Sequence, residues 1–284
     1  MTAPTLSDRF AIGGELVVHR LGYGAMQLPG PGVWGEPADR DGALAVVRAA
    51  VERGVDFIDT ADSYGPFVSE QIIAEAIHPY PEGLVIATKA GLTRTGPGQW
   101  TPVGRPAYLK QQVELSLRHL KLDRIDLIQL HRIDAEVPLG DQLGAFAELQ
   151  QSGKVGHIGL SEVSVAEIKA AREIVEVASV QNLYNLTNRR SQDVLDYSTA
   201  EGIAFIPWFP IATGDLAAPD SPVAEIAREL DATPSQIALA WLLQASPVVL
   251  PIPGTKSVDH LTENMGAAEI RLSAEDVSRL DAFA

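Results

Sequence analysis

Short runs rich in β-branched and aromatic residues alternate along the chain with longer stretches whose apolar positions recur every three to four residues. That alternation predicts parallel strands joined by crossover helices. Two short runs, 10–12 and 16–18, flank Gly13-Gly14 and predict a β-hairpin before the repeating units begin. Strands are then predicted at 21–23, 57–59, 84–89, 125–130, 157–160, 180–183, 204–206 and 248–252. The segments between them read as amphipathic helices at 41–53, 69–77, 105–120, 139–152, 165–174, 189–201 and 257–268. Two further helical patterns, 222–230 and 234–244, separate the last two strands, and another covers 274–283. Eight β/α units predict an α/β fold of the closed (β/α)8 TIM-barrel type, with the hairpin as an N-terminal plug and extra C-terminal helices.

A doubly wound sheet is the competing architecture, and Gly30-Pro31-Gly32-Val33-Trp34-Gly35 matches a dinucleotide-loop fingerprint by letter. Pro31 has no N–H to offer a phosphate, and no apolar helix begins after this run, so it reads as a loop at the barrel mouth. A barrel of this kind occupies about 250 residues as one domain, and the 284 residues are read as a single domain, 1–284.

Composition narrows the chemistry. With no cysteine, disulfides, thiolate nucleophiles and cysteine-ligated metals are excluded; no metal site is expected. A formal charge of −15 opposes binding to a polyanion such as nucleic acid, so any phosphorylated ligand needs a local cluster of basic groups. Neither a secretory leader nor a membrane-length apolar run is evident, which leads to an expected cytoplasmic location.

Barrel active sites lie where strands end. Asp59 closes the second predicted barrel strand, Tyr64 follows in the next loop, Lys89 closes the third, and His131 follows the fourth. Each alone has an ordinary structural explanation, a turn cap, a packed loop ring, a snorkelling amine or a satisfied buried imidazole. Together they suit carbonyl reduction. A hydride added to a carbonyl carbon leaves an oxyanion needing a proton, which the Tyr64 phenol can supply. Lys89 is expected to lower the phenol's pKa, Asp59 to hold Lys89 charged, and His131 to orient the carbonyl oxygen.

At these residues the chain resembles the aldo-keto reductases. The run Gly54-Val55-Asp56-Phe57-Ile58-Asp59-Thr60-Ala61-Asp62-Ser63-Tyr64-Gly65, with Ser69-Glu70 after it, is similar to one family signature. Leu117-Arg118-His119-Leu120-Lys121-Leu122-Asp123, continuing to His131, is similar to another. The resemblance runs from Leu21 to Asn264. It implies catalytic Asp59, Tyr64, Lys89 and His131 and a nicotinamide cofactor, NADPH favoured and NADH possible. It further implies that Ser161 and Gln181 contact the nicotinamide amide, that Trp208 stacks on its ring, and that Pro210 and Ile211 belong to the same site. Pro253-Gly254-Thr255-Lys256-Ser257 is similar to the adenosine-phosphate segment, with Glu263 and Asn264 on the adenine. Glu162 stands where the family usually has Asn beside the serine. A carboxylate can accept from an amide NH2 but cannot donate to its carbonyl. Gly254 and His260 stand at the usual lysine and arginine of the 2′-phosphate site, so NADPH preference rests on Thr255, Lys256 and His260.

Met26, Trp34, Phe67 and Trp100 are expected to line an apolar mouth for a flat or hydrophobic aldehyde as small-molecule substrate. The segment Arg20-Leu21-Gly22-Tyr23-Gly24-Ala25-Met26-Gln27-Leu28 resembles a bacterial branch of the family that includes pyridoxal reductases (pyridoxine 4-dehydrogenases). Pyridoxal is therefore the candidate substrate. No nucleic-acid or membrane partner is expected, and the chain is expected to be a monomer or weak homo-oligomer. Two other readings are a non-catalytic NADP(H)-binding regulatory barrel and a Schiff-base aldolase with Lys89 as nucleophile. The first leaves the tetrad Asp59, Tyr64, Lys89 and His131 without a purpose, the second leaves Ser161, Gln181 and Trp208 without one.

Overall fold

A computed structural model of the chain describes residues 9–211, 218 and 220–283. The hairpin pairs β1 (Arg9–Ile12) with β2 (Leu16–His19), and Gly13 and Gly14 adopt the positive φ their turn requires. A Cβ on Gly13 would lie 2.4 Å from Nδ1 of His157, so the turn sits directly against the sheet.

The barrel strands follow in chain order: β3 (Tyr23–Gly24), β4 (Phe57–Asp59) and β5 (Val85–Ala90) come first. A small antiparallel pair, β6 (Leu92–Thr93) and β7 (Thr101–Pro102), interrupts them, and β8 (Ile125–Leu130), β9 (Val155–Ser161), β10 (Val177–Gln181) and β11 (Ala204–Phe205) complete the sheet. Seven strands form one sheet, ordered β11-β10-β9-β8-β5-β4-β3, with every pairing parallel. The predicted eighth strand at 248–252 does not form a regular ladder. Even so, it closes the barrel. Phe205 N–H donates to the carbonyl of Val248 and Leu250 N–H to that of Phe205, while Gly22 and Gly24 donate to Pro251 and Pro253. The chain is too irregular here to alternate its bonds along one edge, because Pro251 and Pro253 carry no N–H.

The helices are α1 (Arg40–Glu52), α2 (Val68–Ile77), α3 (Pro106–Leu120), α4 (Leu139–Gln151), α5 (Val165–Arg172), α6 (Gln192–Glu201), α7 (Pro222–Glu229), α8 (Pro234–Ala245), α9 (Val258–Gly266) and α10 (Ala274–Asp281). Local chemistry sets many of their starts. Ser164, Thr233 and Ser273 each form a capping box with the acid or amide three residues on, and proline stands in the first turn of α3, α7 and α8. The helix predicted from 189 begins three residues later, because Asn185 and Asn188 first pair with each other in a tight turn.

The core divides as a barrel demands. Ile12 and Val18 of the plug pack with Phe57, Ala87, Leu127, Ala204 and Leu250 in the barrel interior. The outward strand residues and the inner helix faces form a second, larger layer, including Ile128, Ile158, Val180, Phe146 and Trp241.

Candidate active site

Asp59 ends β4, Lys89 lies one residue before the end of β5, His131 directly follows β8, Ser161 ends β9 and Gln181 ends β10. Parallel strands in register therefore bring all five to one rim. The loop carrying Tyr64 is tied to the next strand, since Thr60 and Asp62 donate their N–H groups to Ala87 and Lys89 and prolong the β4–β5 pairing.

Lys89 is fully buried, with Nζ 2.5 Å from Oδ1 of Asp59, 2.9 Å from the Thr60 carbonyl and 3.5 Å from the Tyr64 hydroxyl. The other Asp59 oxygen accepts from Nε2 of Gln129 at 3.0 Å and of Gln181 at 2.9 Å. Burial works against the lysine's charge, but the charges and hydrogen bonds of Asp59 and Tyr64 outweigh it, and its pKa is raised. The ammonium is thus held. For Tyr64 the balance runs opposite to expectation. Burial pushes the phenol up, Lys89 pulls it down, Asp59 adds to the rise, and the net direction is upward. Burial outweighs the lysine's charge, and the Asp59 carboxylate offsets part of that charge.

His131 is buried and pushed well below the usual imidazole range, first by burial and then by Lys89, Arg132 and Arg94. It is neutral at physiological pH. Its Nδ1 lies 3.2 Å from the Ser63 hydroxyl. Trp100 presents an edge to both Tyr64 and His131, with ring centroids 6.4 and 6.3 Å apart. Trp100 is in turn held by Arg94, whose guanidinium carbon lies 3.5 Å from its centroid. Arg94 donates to the carbonyls of Gly32, Val33, Ser63 and Gln99, fastening three mouth loops together.

Two adjoining cavities open at this rim, of about 410 and 380 Å³, sharing Met26, Tyr64, Gln181 and Trp208. The first extends from Asp59 past Pro210 and Ile211 to Gly254, Thr255, His260, Glu263 and Asn264 on and before α9. The second is walled by Trp100, His131, Arg132 and Ser161. Four expected residues lie elsewhere. Trp34 packs near Arg94, and Phe67 lies against the His119 ring at 4.7 Å. Lys256 donates to the carbonyl of Pro29. Glu162, at a φ of 56°, turns its carboxylate onto Leu183 N–H, the Trp208 indole N–H and Arg190. These ring and carboxylate contacts are tertiary, so spacing in the chain gave no sign of them.

The sequence reading passed over Gln27, Phe209 and Ser235 in the first cavity and Arg132 in the second. It also passed over Gln129. That glutamine is a polar residue inside an otherwise apolar strand end, a legible signal, and Arg132 is the neighbour of a singled-out histidine.

A profile described as "Aldo/keto reductase family" matches residues 20–284. This chain belongs to the aldo/keto reductase family. As a member of that family it is an oxidoreductase. It is 52% identical over 268 residues to an uncharacterized oxidoreductase of Schizosaccharomyces pombe, covering 94% of this chain and 87% of that one. It is 46% identical over 281 residues to pyridoxine 4-dehydrogenase of Escherichia coli, covering 97% and 98%. Among solved structures it resembles a thermostable aldo-keto reductase in complex with the inhibitor epalrestat, at 28% identity and a TM-score of 0.86, over 98% of this chain and 100% of that one. It also resembles an aldo-keto reductase from Klebsiella pneumoniae in complex with NADPH, at 25% identity and a TM-score of 0.84, over 98% and 95%.

Proposed function

We propose that this aldo/keto reductase uses NADPH to reduce a flat aldehyde to the primary alcohol, with pyridoxal to pyridoxine as the reaction to test first. The observation that carries the reading is the buried contact of Tyr64 with Lys89, itself held by Asp59, with Tyr64 facing the same cavity as a neutral His131. The pyridoxine 4-dehydrogenase name of the Escherichia coli relative and the NADPH complex of the Klebsiella protein support the substrate and the cofactor.

The residues present fit a nicotinamide dinucleotide. The larger cavity reaches from Trp208 to Asn264, and the backbone N–H groups of Gly254, Thr255 and Lys256 donate to no acceptor among the described residues. Free N–H groups leading into the start of α9, helped by its dipole, favour phosphate oxygens. Trp208 and Gln181 would hold the nicotinamide, Glu263 and Asn264 the adenine. His260 and the 254–256 backbone would bear the additional phosphate of NADPH. Bound there, the dinucleotide supplies the hydride.

The chain's own groups do the rest. His131, with Ser63 at Nδ1, is left to donate from Nε2 to the carbonyl oxygen and polarise it. Tyr64 gives its phenolic proton to that oxygen as charge develops there, and Lys89, held by Asp59, stabilises the resulting phenolate. The raised phenol pKa favours this direction, because a protonated acid is what reduction requires. Trp100 and Trp208 flank the cavity and exclude water from one flat ring.

Among the described residues no helix is long and apolar enough to cross a membrane. A cytoplasmic single-domain protein, acting as monomer or weak homo-oligomer on a small carbonyl compound, completes the proposal. It is tested by following loss of reduced nicotinamide with an aldehyde panel that includes pyridoxal, offered NADPH and NADH. Turnover of no aldehyde with either cofactor would reject it, and equal use of NADH would reject the cofactor preference.

A further inference from the structure

Arg132 follows His131 at the end of β8 and lines the smaller cavity beside Tyr64, His131, Ser161 and Trp208. Its Nη1 donates to the His131 carbonyl at 2.5 Å and to the Ser161 hydroxyl at 3.1 Å, while Nε and Nη2 have no acceptor among the described residues. It forms no ion pair among those residues either. The carboxylates that flank the site are engaged elsewhere, Asp59 with Lys89 and Glu162 with Arg190. In a chain of net charge −15, a partly buried guanidinium thus stands at the wall of the cavity with no direct ion pair among the described residues, Glu162 acting on it only from beyond contact.

Such an arrangement costs free energy unless a ligand brings the missing charge, because a cation withdrawn from water needs a counter-charge or a full set of acceptors. The local field points the same way. After burial, the charges of Lys89, Arg132 and Arg94 all act to depress His131, so three cations bear on the imidazole. Arg94 cannot be the ligand's partner, since its donors are occupied by loop carbonyls. The two free positions of Arg132 form a planar fork of the kind that grips oxyanions. Trp100 and Trp208, lining the same cavity, offer ring faces and edges to a flat group.

We propose that Arg132 binds an anionic oxygen of the substrate, so that this reductase selects aromatic aldehydes carrying a carboxylate or a ring phenolate over neutral ones. The inference rests on the reductase reading above and names the charge of its substrate.

Two matched pairs test it: 4-carboxybenzaldehyde against methyl 4-formylbenzoate, and pyridoxal against its 3-O-methyl ether. Each is reduced with NADPH by the wild type, Arg132→Gln and Arg132→Lys, after thermal melts establish that the variants fold. The wild type is expected to favour the anionic member of at least one pair. Arg132→Gln should raise KM for that member about ten- to hundredfold more than for the neutral member, the scale of a charge-assisted hydrogen bond. Arg132→Lys should recover part of the loss by keeping charge without the fork. The pair that responds tells carboxylate from phenolate. No preference in either pair, or a preference that survives Arg132→Gln, overturns the proposal. So does an equal loss for both members with weakened NADP+ binding, which would assign Arg132 to the dinucleotide.

A second readout separates this inference from the reductase reading. Binding of 4-(hydroxymethyl)benzoate and of its methyl ester to NADP+-loaded protein is followed by tryptophan fluorescence. Tighter binding of the anion, lost in Arg132→Gln, supports the role of Arg132 even if no aldehyde is turned over. Equal binding of acid and ester in the wild type counts against it.

Discussion

Tyr64 is a phenol whose surroundings disagree about its proton. Burial and Asp59 push the pKa up and Lys89 pulls it down, with burial prevailing. Two expectations follow at this scale. Tyr64→Phe should lower turnover by about two to four orders of magnitude, the range for loss of a general acid, while cofactor binding measured by fluorescence titration stays within error. The rate of reduction should be level across neutral pH and fall only as pH rises past the ordinary tyrosine value near 10, since the protonated phenol is the active form. A fall centred near pH 7 or 8 would show a phenol pKa below normal. His131 cannot supply such a limb near neutrality, because it is already neutral there. The types and order of these residues were legible in the chain. The sign of the shift on Tyr64 was not, because it depends first on how deeply folding buries the ring and then on the distance of Lys89 from it.

Among the elements, loops carry the precision that strands cannot. β4, β5, β8, β9 and β10 place five polar side chains on one rim, but the wall opposite is assembled from loops that share no ladder. Arg94 replaces the ladder. It donates to carbonyls of 32, 33, 63 and 99 and stacks on Trp100, so one side chain fixes the distance between three loops. Arg94→Met should lower stability by about 2 kcal/mol, the scale for losing charge-assisted hydrogen bonds, as read by urea unfolding. It should also raise KM for aromatic aldehydes more than it lowers kcat, because Trp100 loosens while Tyr64 and Lys89 stay in place. Glu162 is a second such brace. Its backbone sits in the left-handed region that favours glycine or asparagine, and its carboxylate compensates by bonding Leu183 and the Trp208 indole. Trp208 is thereby held in place at the cavity wall.

For the whole molecule, the acid balance of the interior has a consequence for stability. Glu70 is buried, accepts a hydrogen bond from Thr88, and has its carboxyl pushed up to about 7 by burial. Asp62, buried beside it, is pushed up as well, first by burial and then by the charge of Glu70. Unfolded, Glu70 loses its proton near 4.5; folded, it keeps it until about 7. The unfolded state therefore binds fewer protons across that window, and stability falls as pH rises through it, then levels off. Glu70→Gln should remove this fall. Its stability relative to wild type, measured by urea unfolding, should be greater at pH 8 than at pH 5 by up to about 3 kcal/mol. An equal difference at both pH values would show that Glu70 is ionised in the fold at pH 5.

Periodicity and strand-end chemistry in the sequence were enough to predict the barrel, its plug, the order of its units and the grouping of Asp59, Tyr64, Lys89 and His131 at one rim. Those features are local or repeat at fixed spacing, and parallel strands in register convert the spacing into a shared rim. Tertiary structure alone decided which polar groups face the cavity. Glu162, Phe67, Trp34 and Lys256 turn away because each finds a better partner on another element, while Arg132 stays at the cavity with no direct ion pair among the described residues. Competition between distant partners is settled by folding, and the pattern along one segment does not contain it.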